Sequence, residues 1–348
     1  MTRCIALLTD FGTADPYVGQ MHGVLQRLVP HVHVIDLCHG VAPHAIASGA
    51  LFLAASHRHF APGTIFIGIV DPGVGSQRGL LLAHAHGCHF LAPDNGLLSL
   101  VLASDERATI HRLAHPLENW ATTAHALLLG HHAPLADATA PHQKDNTPPS
   151  EWGAACPAQA STPPSSTALH TAVASTFHGR DVLAPAAALL AAGCLPESML
   201  HPVSLSAVLS PPWRRATVTP HAIHTHALHI DQFGNILLSL TDTQRPELHS
   251  RWKLTITPAS PASDAPANPG KTSAPVGTIT GPSSGTGTTD TALHTVRTVN
   301  TYADLTPGEM GLLCGSQGHA ELACNATSAA TRLHIAAGAC LHLARETS

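Results

Sequence analysis

TIFIGIVDPGVGSQRG, residues 64–79, is the stretch that decides the fold. An apolar run, TIFIGIV, reads as a β-strand, stops abruptly on Asp71, and opens into a turn with two glycines that reaches Arg78. The segments before it alternate in the same sense. RCIALLT and HVHVID read as strands, and Val18, Met21, Val24, Leu25 and Leu28 recur at helical spacing between them. ASGALFLAASHRHF reads as a second helix, with Ala50, Leu51 and Ala54 among its apolar positions. Asp15-Pro16 has the form of a helix start, an N-cap residue followed by proline at the first position. This β-α-β-α-β order predicts a mainly parallel sheet with right-handed crossovers, an α/β fold.

Asp10, Asp36 and Asp71 each fall at the carboxyl end of one of these strands, the edge where open α/β sheets bind ligands. Three carboxylates there point to a ligand with hydroxyls, an amine or a positive charge. Downstream, GLLLAHAHGCHFLAPDNG reads as a strand pair. Its Pro93-Asp94-Asn95-Gly96 turn leads into a short helix, GLLSLVLA, and Asp94 and Asn95 suit a turn as well as a ligand role. A later Ala/Leu helix, VLAPAAALLAAG, closes on Gly193 as its C-cap.

From about residue 203 the pattern changes to short strands: ATVTPHAIHTHALHI, NILLSL, WKLTIT, HTVRTV, GLLCGS and ELAC. These predict an all-β domain, a small barrel. The expected division is an α/β domain over 1–200 and a β-barrel domain over 203–348. Each carries a Pro/Ala/Ser/Thr-rich insertion, at about 134–168 and 258–292.

Composition narrows the function. The chain has 348 residues, 44% of them hydrophobic, enough for two cored domains. Its net charge of −5 and 17 scattered Lys and Arg offer no basic stripe for nucleic acid. No apolar run approaches the roughly 20 residues of a membrane helix. The start, MTRCIALLTDFG, shows no small-residue cleavage site. The eight cysteines form no CxxC pair and mostly sit in apolar runs, which fits a reducing compartment. A cytoplasmic protein is the expectation. The 28 histidines cluster as His84/His86/His89 and His221/His224/His226/His229. His84 and His86 could share a strand face as a metal site does, but no HExxH and no completing carboxylate accompany them, so compositional bias is the reading. GPSSGTGTTD lacks the lysine of a phosphate-binding loop, and no G-x-G-x-x-G follows the first strand.

Six separated stretches, in order, resemble one family. LLTDFGTADPYVGQMHG, APGTIFIGIVDPGVGSQRG, FLAPDNGLLS, STFHGRDVLAPAAA, HIDQFGN and GSQGHAELACN are similar to the S-adenosyl-L-methionine (SAM) hydroxide adenosyltransferases, of the superfamily that also holds the SAM-dependent fluorinase and chlorinase. The resemblance covers the chain apart from the two insertions. It implies an N-terminal α/β domain, a C-terminal barrel, and a homotrimer with active sites between subunits. It also implies cleavage of SAM at the ribose C5′ carbon by water, releasing adenosine and L-methionine without metal or other cofactor.

By that resemblance, Asp71, Arg78 and His178 surround the attacking water, and either Asp71 or His178 takes its proton. A cation beside Asp71 lowers its basicity, whereas imidazole titrates near neutrality. The resemblance also makes Asp10 the acceptor for the ribose diol, and Asp15 and Asp231 contacts of the methionine amine. Phe233 and Asn235 are adenine contacts, and Ser316 meets the methionine carboxylate. Glu321 lies in the same segment as Ser316. Asp15 also serves as a helix cap on its sequence alone.

The halogenases carry Tyr where this chain has Asp71, and a carboxylate there repels halide but suits water. The fluorinase has Tyr and Ser in place of His178 and Gly179. Both features favour the hydrolase over a halogenase or a non-catalytic nucleoside- or metal-binding protein. Three departures bear on affinity: His22 replaces a Lys, Ala45 an acidic residue, and Gln317 the fluorinase's Arg.

Overall fold

The computed structural model describes residues 4–117, 119–129, 176–257 and 294–346. The insertions expected at 134–168 and 258–292 lie outside them. β1 (Cys4–Thr9), α1 (Tyr17–Leu28), β2 (His33–Cys38), α2 (Ile46–Ser56) and β3 (Ile65–Ile69) follow the expected alternation. β4 (Leu80–Ala85), β5 (Cys88–Pro93), α3 (Ser99–Ala103), β6 (Thr109–Leu113), α4 (Asn119–Ala124), α5 (Ala184–Ala192) and β7 (Leu200–Val203) complete the unit. Among the described residues the sheet order is β2-β1-β3-β5-β4-β6-β7. Pairings β1–β2, β1–β3 and β3–β5 are parallel. The β4–β5 hairpin then reverses direction, and β4–β6 and β6–β7 are antiparallel. The parallel half carries the site.

Helices cover both faces, which is why the central strands are apolar throughout. Ile5, Leu7, Ile65, Ile67 and Ile69 pack with Met21 and Leu25 of α1 and the Ala/Leu face of α5. Ala6, Leu8 and Phe66, on the opposite face, pack with Leu51 and Leu53 of α2. Gly193 closes α5 in the left-handed conformation at φ 73°, as the C-cap reading requires. Asp15 does not cap α1. The helix begins a residue later, with Pro16 at the N-cap and no side-chain cap bond.

The second unit comprises β8 (Thr217–Val218), β9 (Ala222–Ile230), β10 (Ile236–Thr241), β11 (Arg251–Thr257), β12 (His294–Thr298), β13 (Met310–Cys314), β14 (His319–Cys324), α6 (Ala329–Leu333) and β15 (Cys340–Arg345). The order β10-β14-β13-β12-β11-β15-β9 closes on itself through a β9–β10 pairing, giving a seven-stranded barrel with β8 attached to β9. Ile223, Leu238, Trp252, Leu312, Leu322 and Leu343 fill it. Beyond the strands expected from the sequence lie β6 and β7 of the sheet and β15 of the barrel, where CLHLAR alternates in burial along most of its length.

The barrel is bonded to the α/β unit through α2. Ser48 Oγ donates to the Leu228 carbonyl at 3.0 Å, and Phe52 meets the His229 ring edge-to-face. Leu228 and Leu237, outside the barrel interior, join the core on that side of the sheet.

Candidate active site

β3 delivers Asp71 to the sheet's carboxyl edge, and the loop after it folds back sharply. Val74 N–H donates to the Asp71 carbonyl at 3.3 Å, Ser76 N–H to that of Gly73 at 3.0 Å, and Gly75 adopts φ 80°. This returns Arg78 to Asp71. Its Nε donates to Asp71 Oδ1 at 2.6 Å, while Nη2 forms an ion pair with Oδ2. Both side chains are only 8% exposed. Burial pulls the Arg78 guanidinium down to about 10, so it keeps its charge at neutral pH.

His178 arrives from a distant stretch because Gly179 lets that backbone press against β3. A Cβ at Gly179 would lie 2.6 Å from Ile69 Cδ1 and 3.4 Å from the Met21 sulfur. The imidazole is buried, and its Nδ1 has no hydrogen-bond partner among the described residues. Burial lowers its pKa, the Arg78 cation lowers it further, and Asp181 opposes them without reversing the shift. The imidazole is therefore neutral at pH 7, with one ring nitrogen left unpartnered among the described residues.

Asp10 follows β1 at the same edge. Its N–H donates to the Ile69 carbonyl at 3.1 Å, and its Oδ2 accepts from His44 N–H at 3.1 Å. Asp10, Asp71, Arg78 and His178 line one cavity of about 60 Å³, with Phe11 and Phe177 beside them. Phe11, Tyr17 and Phe177 form an aromatic group with centroids 5.3–5.6 Å apart. The aromatic walls went unnoticed in the sequence, where nothing separates them from core.

The remaining expected residues do not line that cavity. Asp15 is exposed in the turn before α1. Asp231 organises the β9–β10 turn. Its Oδ1 accepts from Phe233 N–H and Asn235 N–H, both at 2.9 Å, and its Oδ2 from the Asn235 amide at 3.0 Å. Phe233 projects from this turn, 72% exposed. Ser316 is exposed at the β13–β14 turn. Glu321 is buried on β14, where desolvation raises its pKa despite a hydrogen bond from the Tyr302 hydroxyl.

Asp36 departs from the expected cluster. It lies inside β2 and is held by His22 and His39. Asp94 is engaged by Arg112 and by Leu209 N–H, and Asn95 donates to the Val70 carbonyl, so both brace the fold. His86 sits in the β4–β5 turn at φ 51°, off the strand, so it shares no strand face with His84. Among the described residues no three His, Cys, Asp or Glu side chains group as metal ligands. A larger cavity, about 370 Å³, opens outside the barrel between Arg251, Arg297 and Arg332. None of the expected residues lines it, and one of its arginines, Arg297, is already paired with Glu309.

A sheet edge holding buried charge, with a barrel bonded beside it, makes this a two-domain α/β–barrel protein. The SAM hydroxide adenosyltransferase N-terminal domain matches residues 5–143, and the corresponding C-terminal domain matches residues 283–341. An (R)-S-adenosyl-L-methionine hydrolase of Salinispora arenicola is 30% identical over 262 residues, 72% of this chain and 81% of that protein. One from Salinispora tropica is 26% identical over 97% of this chain and 96% of its own length. A solved structure of an uncharacterized conserved protein from Thermotoga maritima superposes with a TM-score of 0.65 at 21% identity, covering 98% of this chain and all of that one. The chain belongs to the SAM hydroxide adenosyltransferase family.

Proposed function

We propose that the chain hydrolyses SAM to adenosine and L-methionine, by attack of water on the ribose C5′ carbon. The observation that carries this reading is the group of Asp71, Arg78 and His178 around one small cavity. The water oxygen bonds to C5′, the C5′–S bond breaks, and its electron pair goes to sulfur, leaving neutral methionine. One water proton is released. The sulfonium is already a good leaving group, so the reaction asks for no acid, metal or redox cofactor. What it asks for is a water held in line and a group to take its proton.

His178 takes that proton. His178 lines the cavity with its Nδ1 unpartnered among the described residues, whereas Asp71 is committed to Arg78. Asp71 orients the water by accepting a hydrogen bond and disfavours halide by its charge. Arg78 holds Asp71 in place.

Asp10 presents two acceptor oxygens to the ribose diol. Asp15 and Asp231 hold the methionine amine, and one lone-pair site of Asp231 is left over from its own turn. Phe233 and Asn235 contact adenine, and Ser316 contacts the methionine carboxylate. Glu321 lies against Gly315, the residue before Ser316, since a Cβ there would be 2.7 Å from its Oε2. A cavity of about 60 Å³ is far below the ~300 Å³ of a site for a ligand this size. Its walls all come from the α/β unit, and Phe233 stands uncovered, so a homotrimer in which one subunit's barrel closes the next subunit's site accounts for both. A cytoplasmic location agrees with seven free cysteines among the described residues.

The test is product analysis. Purified protein with SAM, with and without chloride and with and without chelator, is expected to release adenosine and methionine in equal amounts throughout. A chlorinated nucleoside, or neither product at any pH, overturns the reading.

A further inference from the structure

Behind Asp10 runs a line of polar contacts that plays no part in the displacement itself. Phe11 N–H donates to Thr9 Oγ1 at 3.2 Å, and Thr9 Oγ1 meets His39 Nδ1 at 2.9 Å. His39 Nε2 lies 3.0 Å from Asp36 Oδ1, bent off the straight hydrogen-bond line, and the same oxygen is 2.7 Å from His22 Nε2. Thr9 is wholly buried and His39 is 8% exposed, while Asp36 and His22 reach solvent.

The directions in this line follow from chemistry. Asp36 only accepts while ionised, and it stays so: burial raises its pKa, but the bonds from His39 and His22 outweigh that and hold it low. His39 therefore turns a protonated Nε2 toward Asp36, which leaves Nδ1 as an acceptor. The Thr9 hydroxyl donates into Nδ1, and its oxygen stays free to accept the Phe11 N–H. A second tie runs through the backbone, where Gly12 N–H donates to the His39 carbonyl at 2.8 Å. Thr9 and Gly12 are thus fastened to one histidine and Phe11 to Thr9, and Asp10 lies among them.

We propose that His39 is a positioning residue for ribose recognition. It holds the β1 end so that the Asp10 carboxylate faces the substrate diol, and Asp36 sets the tautomer that lets it do so. This role rests on the reading of Asp10 as the diol acceptor. It assigns Asp36, the strand-end carboxylate absent from the cavity, to the support of Asp10.

The test compares two ligands that differ only in the diol, adenosine and 2′,3′-dideoxyadenosine, by calorimetry on the full chain. His39→Phe keeps the volume and removes both ring contacts. It is expected to weaken adenosine about tenfold and dideoxyadenosine less than twofold. Equal weakening of both ligands, or none, overturns the proposal, because a merely structural histidine has no reason to sense the diol. His39→Gln, which keeps one polar end, is read by the same criterion if His39→Phe does not fold. Asp10→Ala, run in parallel, separates the two layers. A diol-selective loss there with none in the His39 variants overturns the positioning role alone. No diol-selective loss in Asp10→Ala overturns the ribose reading, and the positioning role falls with it.

Discussion

Arg78 Nε donates to Asp71 Oδ1 at 2.6 Å across a loop of their own making, with both side chains 8% exposed. A buried pair of this kind is costly to break from one side, because the remaining charge is stranded. Arg78→Met is expected to lower stability by about 3 kcal/mol. Urea unfolding at pH 7 measures this, and a loss under 1 kcal/mol would show that solvent screens the pair.

Asp71→Asn keeps the shape of that contact and removes the negative charge. Turnover of SAM is expected to fall by roughly 100-fold or more, with adenosine affinity within about threefold. Unchanged kcat removes Asp71 from the chemistry.

His178 is expected to govern the acid limb of the rate. Burial and Arg78 depress its pKa, so the neutral base persists below the ordinary histidine range and activity falls only beneath pH 6.5. His178→Ala is expected to cost about 10²–10⁴-fold in kcat and to abolish that limb. A profile whose acid limb survives the substitution assigns the limb to another group.

Phe233 is 72% exposed among the described residues, so it adds little to their packing. Phe233→Ala is therefore expected to leave the melting temperature of a dissociated chain unchanged while raising the KM for SAM about tenfold. Native mass spectrometry is expected to give three copies, and a monomer that turns over SAM refutes the shared site.

His57 supplies a pH dependence of stability away from the site. Burial first, then His86, Arg58 and His59, brings its pKa to about 4, and its ring stacks on His86 at 4.4 Å. It is neutral in the fold, so its contribution is full above pH 6.5 and drains away as pH falls from 6.5 toward 4, when the unfolded chain takes the proton. With the ring only half-buried, about 1 kcal/mol is expected. His57→Gln should flatten that part of the stability–pH curve, and an identical slope in the variant excludes His57.

Much of the fold was legible because apolar periodicity is local. The strands at Ile65–Ile69 and Cys4–Thr9, helix α1, and the Gly193 cap all lie where pattern and turn chemistry put them. β15 escaped notice despite its alternation, and the antiparallel half of the sheet has no signature beyond the short β4–β5 turn. Of the site, Asp10 and Asp71 stood out as carboxylates ending apolar strands. Arg78 and His178 were unremarkable charges until the family resemblance picked them out.

By itself the sequence determined the order of elements and the change from α/β to barrel, and it marked Asp10 and Asp71 as carboxylates ending apolar strands, since these follow from residue type and spacing along the chain. Tertiary structure alone decided how those groups are used. Asp71 closes on Arg78, Asp36 is withdrawn between two histidines, and His178 keeps a bare nitrogen beside the same cavity. Such outcomes depend on burial and on partners distant in sequence, and burial is what keeps this imidazole neutral next to an ion pair.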